Sequence, residues 1–256
     1  MTTILLDGDI VAYQFASAAE KSVNWGDGLW TLHAFEDEVT APMDDFLVKL
    51  QDKLDASRLI IALTDGVNWR LDVLPTYKSN RSDKRKPMLL PFARQYLLDK
   101  YETFLRPTLE GDDVLGILMT HPKLVPGPKV LASIDKDMQT IPGSHYHMRD
   151  DRTFDVSPAY ATYRHFLQTL TGDTTDGYSG CPGIGPKRAE AILEGFCDHT
   201  AGTFDAEGAW AQIVKVFEKA KLGESEALTQ ARVARICHAS DYDFKNKEVK
   251  LWQPPS

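Results

Sequence analysis

Cysteine is scarce. The three present, Cys181, Cys197 and Cys237, are odd in number and widely spaced, with no CxxC pair. That excludes a disulfide framework and a Cys-rich zinc module, and it leads us to expect a reducing, cytosolic setting. Long apolar runs are also missing, and the N-terminal "MTTILLDGDI" turns acidic after three apolar residues without a basic n-region. Neither a membrane span nor a signal peptide is expected. No GxSxG elbow or Ser/His/Asp order appears, so acyl transfer has no support. Internal repeats, low-complexity tracts and long linkers are lacking too. An excess of positive charge is absent: 29 Lys and Arg stand against 37 Asp and Glu, for a net charge of −8, which argues against a generic basic nucleic-acid binder. With 256 residues, 43% of them hydrophobic, the chain can bury one large core, with or without a small appendage.

What is abundant is acid in particular places. Residues 3–6, 58–64 and 129–134 are short apolar runs that read as buried parallel strands, and each leads directly into an acid. They deliver Asp7 with Asp9 ("ILLDGD"), Asp65 ("LIIALTD") and Asp135 with Asp137 ("VLASIDKD"). Helical patterns at about 42–54, 89–101 and 112–120 give the order β-α-β-α-α-β and hence a parallel α/β sheet. Ligands of such sheets bind outside the carboxyl ends of the strands, where these acids gather.

"LEGDDVLGIL", residues 109–118, adds Glu110, Asp112 and Asp113. One acid suffices to cap a helix; a third adds repulsion, so capping and cation binding are equally good readings of this stretch alone. Val114, Leu115, Ile117 and Leu118 should face the sheet and leave the helix start at the rim. After a helix at about 157–170, "GDTTDGYSG" contributes Asp173 and Asp176, a pattern that an Asp-rich turn also explains.

Two cationic features oppose the acids. "YKSNRSDKRKP", residues 77–87, carries Lys78, Arg81, Lys84, Arg85 and Lys86 against Asp83 alone; a solvated basic loop is the plain alternative. "CPGIGPKRAEAIL", residues 181–193, sets Gly183 and Gly185 before Pro186, Lys187 and Arg188. Such a glycine hairpin lets backbone N–H groups approach a phosphate at a helix N-terminus, unless it is only a packed helix corner. "HYH" at 145–147 lacks an obvious third ligand and reads as a surface hairpin. The five tryptophans read mostly as core or rim, 22–30 as an exposed loop, 223–231 as a polar turn before a last helix, and the tail as a short strand or extended segment.

So many converging carboxylates call for compensation by hard divalent cations. Two such ions about 4 Å apart would clamp the attacking and leaving oxygens of a phosphodiester. Lys78 and Arg81 would then neutralise the scissile phosphate, while Lys84, Arg85 and Lys86 contact its neighbours.

In order along the chain, "DGD", "TDGVNWR…YKSNR", "LEGDDVLGI", "IDKD" and "GDTTDGYSG…GIGPKRAEAIL" resemble the flap endonuclease superfamily of 5′ nucleases, and most of all the 5′→3′ exonucleases of T-seven-like phages. The resemblance covers nearly the whole chain, including "YDFKNKEVKLW" near its end. It implies a PIN-like central parallel sheet flanked by helices over 1–156, with a short basic arch near 77–92. A helical exonuclease C-terminal region over 157–256 would carry a helix-hairpin-helix-type (helix-three-turn-helix) element. It further implies two Mg²⁺ or Mn²⁺ ions, the first group of ligands being Asp7, Asp65, Glu110, Asp112 and Asp113, the second Asp135, Asp137, Asp173 and Asp176. Lys78 and Arg81 match the pair approaching the scissile phosphate. Tyr77, Lys84, Arg85, Lys86, Gly183, Gly185, Lys187 and Arg188 would contact DNA, with a monovalent cation such as K⁺ at the glycine hairpin. Implied substrates are duplex DNA with 5′ ends or flaps and RNA–DNA hybrids, alongside replication proteins, in the cytoplasm of a phage-infected bacterium. Asp9 departs from the pattern, since many members have no acid two residues after the first ligand, and the short arch puts threading of long flaps in doubt.

Two other readings compete. A haloacid-dehalogenase-type phosphatase would use Asp7 as a covalent nucleophile but leaves Glu110, Asp135, Asp137 and the glycine hairpin without work. A non-catalytic DNA-end binder predicts lost ligands, whereas every expected carboxylate is present. Toxin-type PIN ribonucleases share the acidic edge but are usually shorter and lack the hairpin.

Overall fold

The computed structural model describes residues 2–81 and 85–255. Lys84, expected to touch DNA, lies outside the described residues. In chain order the elements are β1 (Thr2–Asp7), α1 (Gly8–Ala18), β2 (Lys21–Gly26), β3 (Leu29–His33), α2 (Glu36–Lys53), β4 (Ala56–Leu63), α3 (Arg70–Val73), α4 (Leu90–Lys100), β5 (Thr103–Leu105), α5 (Gly111–Thr120), β6 (Lys129–Ser133), β7 (Gly143–His147), β8 (Arg152–Val156), α6 (Pro158–Thr171), α7 (Pro186–Leu193), β9 (Cys197–Asp198), β10 (Thr203–Phe204), α8 (Ala206–Lys219), α9 (Glu224–Ala234), β11 (Tyr242–Asp243) and β12 (Glu248–Val249).

Six strands form the main sheet in the order β5-β4-β1-β6-β7-β8. All neighbours run parallel except β7 and β8, which pair antiparallel. The apolar runs read from the sequence are therefore strands, and their burial follows the two-residue pleat. Ile4, Leu6, Ile61 and Leu63 pack against α1, α2 and α4 through Val11, Met43, Leu47 and Leu97. Leu5, Ile60, Ala62 and Leu131 face the other way, onto Val114, Leu115, Ile117 and Leu118 of α5. Both faces are covered, so these strands are continuously apolar rather than alternating.

A third core joins α6, α7, α8 and α9 through Phe166, Leu193, Trp210, Ile213, Phe217 and Ala231. The chain then returns to the sheet side: Ile236, Cys237 and Tyr242 belong to the α5 core. Contact there is close enough that a Cβ on Gly116 would lie 2.3 Å from the Cys237 carbonyl oxygen.

Several local expectations are corrected. Helix α1 was not anticipated, although its N-cap is Asp7 itself. Residues 22–30 form most of an antiparallel ribbon, β2–β3, rather than a loop. Residues 223–231 lie largely within α9 rather than in a turn before it, because Ala227 and Ala231 have a core to face. His145 sits in a sheet strand, buried, with Nε2 on the Ile141 carbonyl at 2.8 Å, not on a surface hairpin. Three tryptophans pack inside or against a core, but Trp25 and Trp30 of the ribbon are exposed. The tail does pair briefly, β12 against β11.

Candidate active site at the carboxyl edge of the sheet

Strand β1 is central, with β4 on one side and β6 on the other, so a crevice opens where chain direction across the sheet reverses. Asp7 ends β1 and caps α1, accepting from Ile10 N at 3.2 Å and Ser133 Oγ at 2.9 Å. It is 3% exposed. Burial pushes its carboxyl up to about 6; the two hydrogen bonds oppose the shift and the Asp135 charge adds to it. Just past β6, Asp135 caps a short 3₁₀ turn by accepting from Asp137 N at 2.8 Å. Asp137 is likewise pushed up to about 6, by burial first and then by Asp135, Asp173 and Asp176.

Helix α5 starts at Glu110, whose backbone N–H donates to Asp113 Oδ2 at 3.2 Å. Glu110 Oε2 accepts from Arg70 Nη1 and Tyr77 OH, each at 3.0 Å, and Oε1 accepts from Lys78 Nζ. Burial would raise this carboxyl, but Arg70 and Lys78 outweigh it and hold it below the usual range. Asp112 has the opposite fate: withdrawal from water, then the charges of Asp7 and Glu110, push it well up.

The loop bearing Asp173 and Asp176 is closed by paired backbone bonds between Asp173 and Tyr178. Gly172 and Gly180 meet at its neck, both at positive φ, and a Cβ on either would approach the other's backbone within 2.5 Å. Only glycine fits that neck. Asp176 Oδ2 accepts from Tyr77 OH at 3.0 Å, and Oδ1 accepts from Arg81 Nη2. Lys78 Nζ lies 3.6 Å from Asp176, and its backbone, at φ +54°, donates to the Asp176 carbonyl at 2.8 Å. Lys78 thus bridges Glu110, at the start of α5, and Asp176 of the late loop, while Arg81 pairs with Asp176 alone of these two.

Beside the acids lies an open cavity of about 860 Å³, walled by Lys78, Arg81, Arg85, Lys86 and Arg94 together with Tyr13, Asp65 and Glu110. Here the structure brings part of the basic island, Lys78, Arg81, Arg85 and Lys86, to one cavity with Asp9, Asp65 and Glu110. Arg85 is also bidentate to Glu20, at 2.7 and 2.6 Å. The glycine hairpin forms an exposed turn into α7, with Gly185 as N-cap and Arg188 Nη1 closing onto the Gly183 carbonyl at 2.8 Å; Lys187 is exposed.

Two sequence expectations change, and a third residue takes on a second role. Asp113 is not an open ligand: it is fully buried and accepts from Arg70 Nη1 at 2.8 Å and Nη2 at 2.9 Å, from Trp69 Nε1 at 3.0 Å, and from Cys237 N at 3.0 Å. It anchors Arg70, which in turn holds Glu110. Tyr77 is not on a DNA-facing surface; its ring packs with Tyr178 and Val233, and only its hydroxyl reaches the acids. Asp65 has one oxygen on Thr108 N at 2.9 Å, and its backbone N–H donates to the Leu109 carbonyl, so it knots the loop before α5 while still lining the cavity. Arg70, Arg94 and Tyr13 were missed. Each stands alone in a stretch with no charge run, so only its place in space marks it.

The donor set suits a hard divalent cation. It is carboxylate oxygen throughout, its members raise one another's pKa, and Asp137 Oδ1 is buried without a hydrogen-bond partner among the described residues. Among those residues no three acidic, His or Cys side chains close on one point.

No family model matches the chain. Its fold is that of the bacteriophage T5 flap endonuclease in a pseudo-enzyme-product complex with DNA and metal ions, with a TM-score of 0.67 at 18% identity over 91% of this chain and 89% of that one. The fold is therefore the one expected from the sequence, a mostly parallel sheet flanked by helices. In sequence the chain is similar to two phage proteins. It is 29% identical to the exodeoxyribonuclease of Enterobacteria phage T3, over 99% of this chain and 93% of that protein. To the exonuclease of Escherichia phage T7 it is 28% identical, over 98% and 93%.

Proposed function

We propose that the protein is a divalent-metal-dependent 5′→3′ exonuclease that hydrolyses phosphodiesters at the 5′ ends of duplex DNA, with flap cleavage and RNA-primer removal from RNA–DNA hybrids at the same centre. The observation that carries this reading is a cavity at the carboxyl edge of the sheet lined by five cations together with Asp9, Asp65 and Glu110. Two Mg²⁺ or Mn²⁺ ions held by Asp7, Glu110, Asp112, Asp135, Asp137, Asp173 and Asp176 would supply Lewis acidity and an attacking water of lowered pKa.

The chain's own groups do the rest. Lys78 and Arg81, already oriented by Glu110 and Asp176, turn their remaining donors toward the scissile phosphate. Arg85, Lys86 and Lys84 receive the flanking phosphates. Arg70, Tyr77 and Asp113 keep Glu110 from swinging away, and Asp65 fixes the loop before α5. The turn at Gly183 and Gly185, with Lys187 and Arg188, holds duplex backbone, with a monovalent cation such as K⁺ at its carbonyls. Residues 1–156 act as the nuclease core and 157–256 as the duplex-holding region. We assign the protein to the cytoplasm of an infected bacterium, working beside replication proteins. No helix among the described residues is long and apolar enough to cross a membrane. The phosphatase reading loses support because it gives no role to Glu110, Asp135 and Asp137 at the same sheet edge.

The test is a 5′-labelled blunt duplex and a matched flap, incubated with Mg²⁺ or with EDTA and sized. Metal-dependent release of short products from the blunt 5′ end is expected. Binding of the folded, metal-loaded protein without cleavage would refute the assignment in favour of a DNA-end binder.

A further inference from the structure

Asp9 is the acid that the motif order did not absorb, and both its oxygens are engaged by groups other than the proposed metal ligands. Oδ2 accepts from Thr64 N at 2.8 Å, and Oδ1 pairs with Arg94 Nη1. Arg94 Nη2 donates to the Thr64 carbonyl, and Thr64 Oγ1 accepts from Gly111 N at 2.9 Å. Directly and through Thr64, this carboxylate ties the start of α1 to the end of β4, to the middle of α4 and to the first residue of α5. The pair is not sealed in: the side chains of Arg94 and Asp9 are 26% and 29% exposed, and both line the 860 Å³ cavity. Of the five cations there, Lys78 and Arg81 pair with acids of the site, and Arg85 pairs with Glu20 on the outer surface. Arg94, like Arg85, is held by an acid that does nothing else in the proposed chemistry, but of these two pairs it is Asp9–Arg94 that has both members in the cavity lining.

We propose that Asp9 is a positioning residue that competes with substrate phosphate for Arg94. It holds the guanidinium against the cavity wall and cancels its charge, so an incoming phosphate gains a directed donor but not a free cation. A fixed carboxylate at this wall limits how tightly a nucleic-acid strand is retained, which favours release after each cut.

This rests on the nucleic-acid reading of the cavity, and the experiment separates the two. Binding of a labelled duplex is measured in EDTA, at several salt concentrations, for the wild type, Asp9→Asn, Arg94→Met and the double variant. Asn keeps an acceptor for Thr64 N, so the fold should hold, as a thermal melt will verify. Releasing one cation should tighten Asp9→Asn by about two- to five-fold at low salt and steepen the salt slope by about one. Arg94→Met should abolish both effects in the double variant. A purely structural Asp9 would weaken binding and leave the slope alone, and a metal-ligating Asp9 would leave binding in EDTA unchanged; either result overturns the proposal. Failure of the wild type to bind duplex at all would instead overturn the reading beneath it. A melt showing Asp9→Asn unfolded passes the decision to Arg94→Met alone: an unchanged slope supports the proposal, and a slope lowered by about one refutes it.

Discussion

Removing Arg70 should cost more stability than any other single surface-to-core ion-pair change in this protein. Its guanidinium is buried, stacks 4.5 Å over the Trp69 ring, and donates to Glu110, to both oxygens of Asp113, and to the carbonyls of Val233 and Arg235. Arg70→Met keeps most of the volume but leaves Asp113 fully buried without its counter-charge and Glu110 with Lys78 alone. Breaking a buried pair in this way costs about 3–5 kcal/mol, far more than the pair contributes relative to an apolar replacement of both partners. For a chain of this length that is a fall of about 6–20 °C in Tm. Arg70→Lys should recover little, because an ammonium cannot span Asp113 bidentately and still reach two carbonyls. Urea melts followed by circular dichroism measure the loss, and a cycle with Asp113→Leu separates the orphaned charge from lost packing. The double variant should be more stable than Arg70→Met alone. A loss below about 1 kcal/mol for Arg70→Met, the range of an exposed pair, would show that Asp113 does not depend on Arg70 and would refute the reasoning.

Asp135→Asn should abolish cleavage while duplex binding in EDTA stays within about two-fold of wild type, since the change removes one charge and no contact to duplex; intact turnover in single-turnover assays would remove Asp135 from the metal group. Lys187→Ala should weaken binding of all duplex sequences alike and lower the salt slope by about one, and a sequence-selective defect would contradict a backbone contact. His165 is fully buried on the Ala231 carbonyl, and burial, with the Arg235 charge second, pulls its pKa down to about 3. The unfolded chain takes up that proton near pH 6.5 and the native one does not, so this stability is whole above 6.5 and is lost as pH falls toward 3, by about 1.4 kcal/mol per unit. Asp7 and Asp137, raised to about 6, act with the opposite sign. The measurement is therefore the difference between wild type and His165→Gln in urea midpoints at pH 7 and 5. A variant that loses stability on acidification as steeply as wild type would assign the loss to other groups.

The order of the acids along the chain, their attachment to strand ends and their relation to a known superfamily were legible in the sequence. A buried parallel strand announces itself as an apolar run, and the residue that follows it must lie at the sheet's carboxyl edge. Asp7, Asp65 and Asp135 could be located from that rule alone. The ribbon β2–β3 was not legible because its tryptophans point outward, so the run "SVNWGDGLW" carries no core pattern. Helix α1 hid behind the strand whose last residue caps it.

Only the tertiary structure could divide the acids by role. Asp112 and Asp113 are adjacent in sequence and chemically identical, yet one is driven toward protonation by its acidic neighbours and the other is held ionised by Arg70, forty-three residues earlier. A carboxylate's behaviour depends on which charges and donors lie within a few ångströms of it. Those distances arise when β4, α3 and α5 pack against one another, and local sequence carries no record of them. The same packing sets Asp9 on Arg94 and gathers the scattered cations onto one wall of the cavity. Sequence determined which groups reach the edge of the sheet; the fold determined which of them remain free to act there.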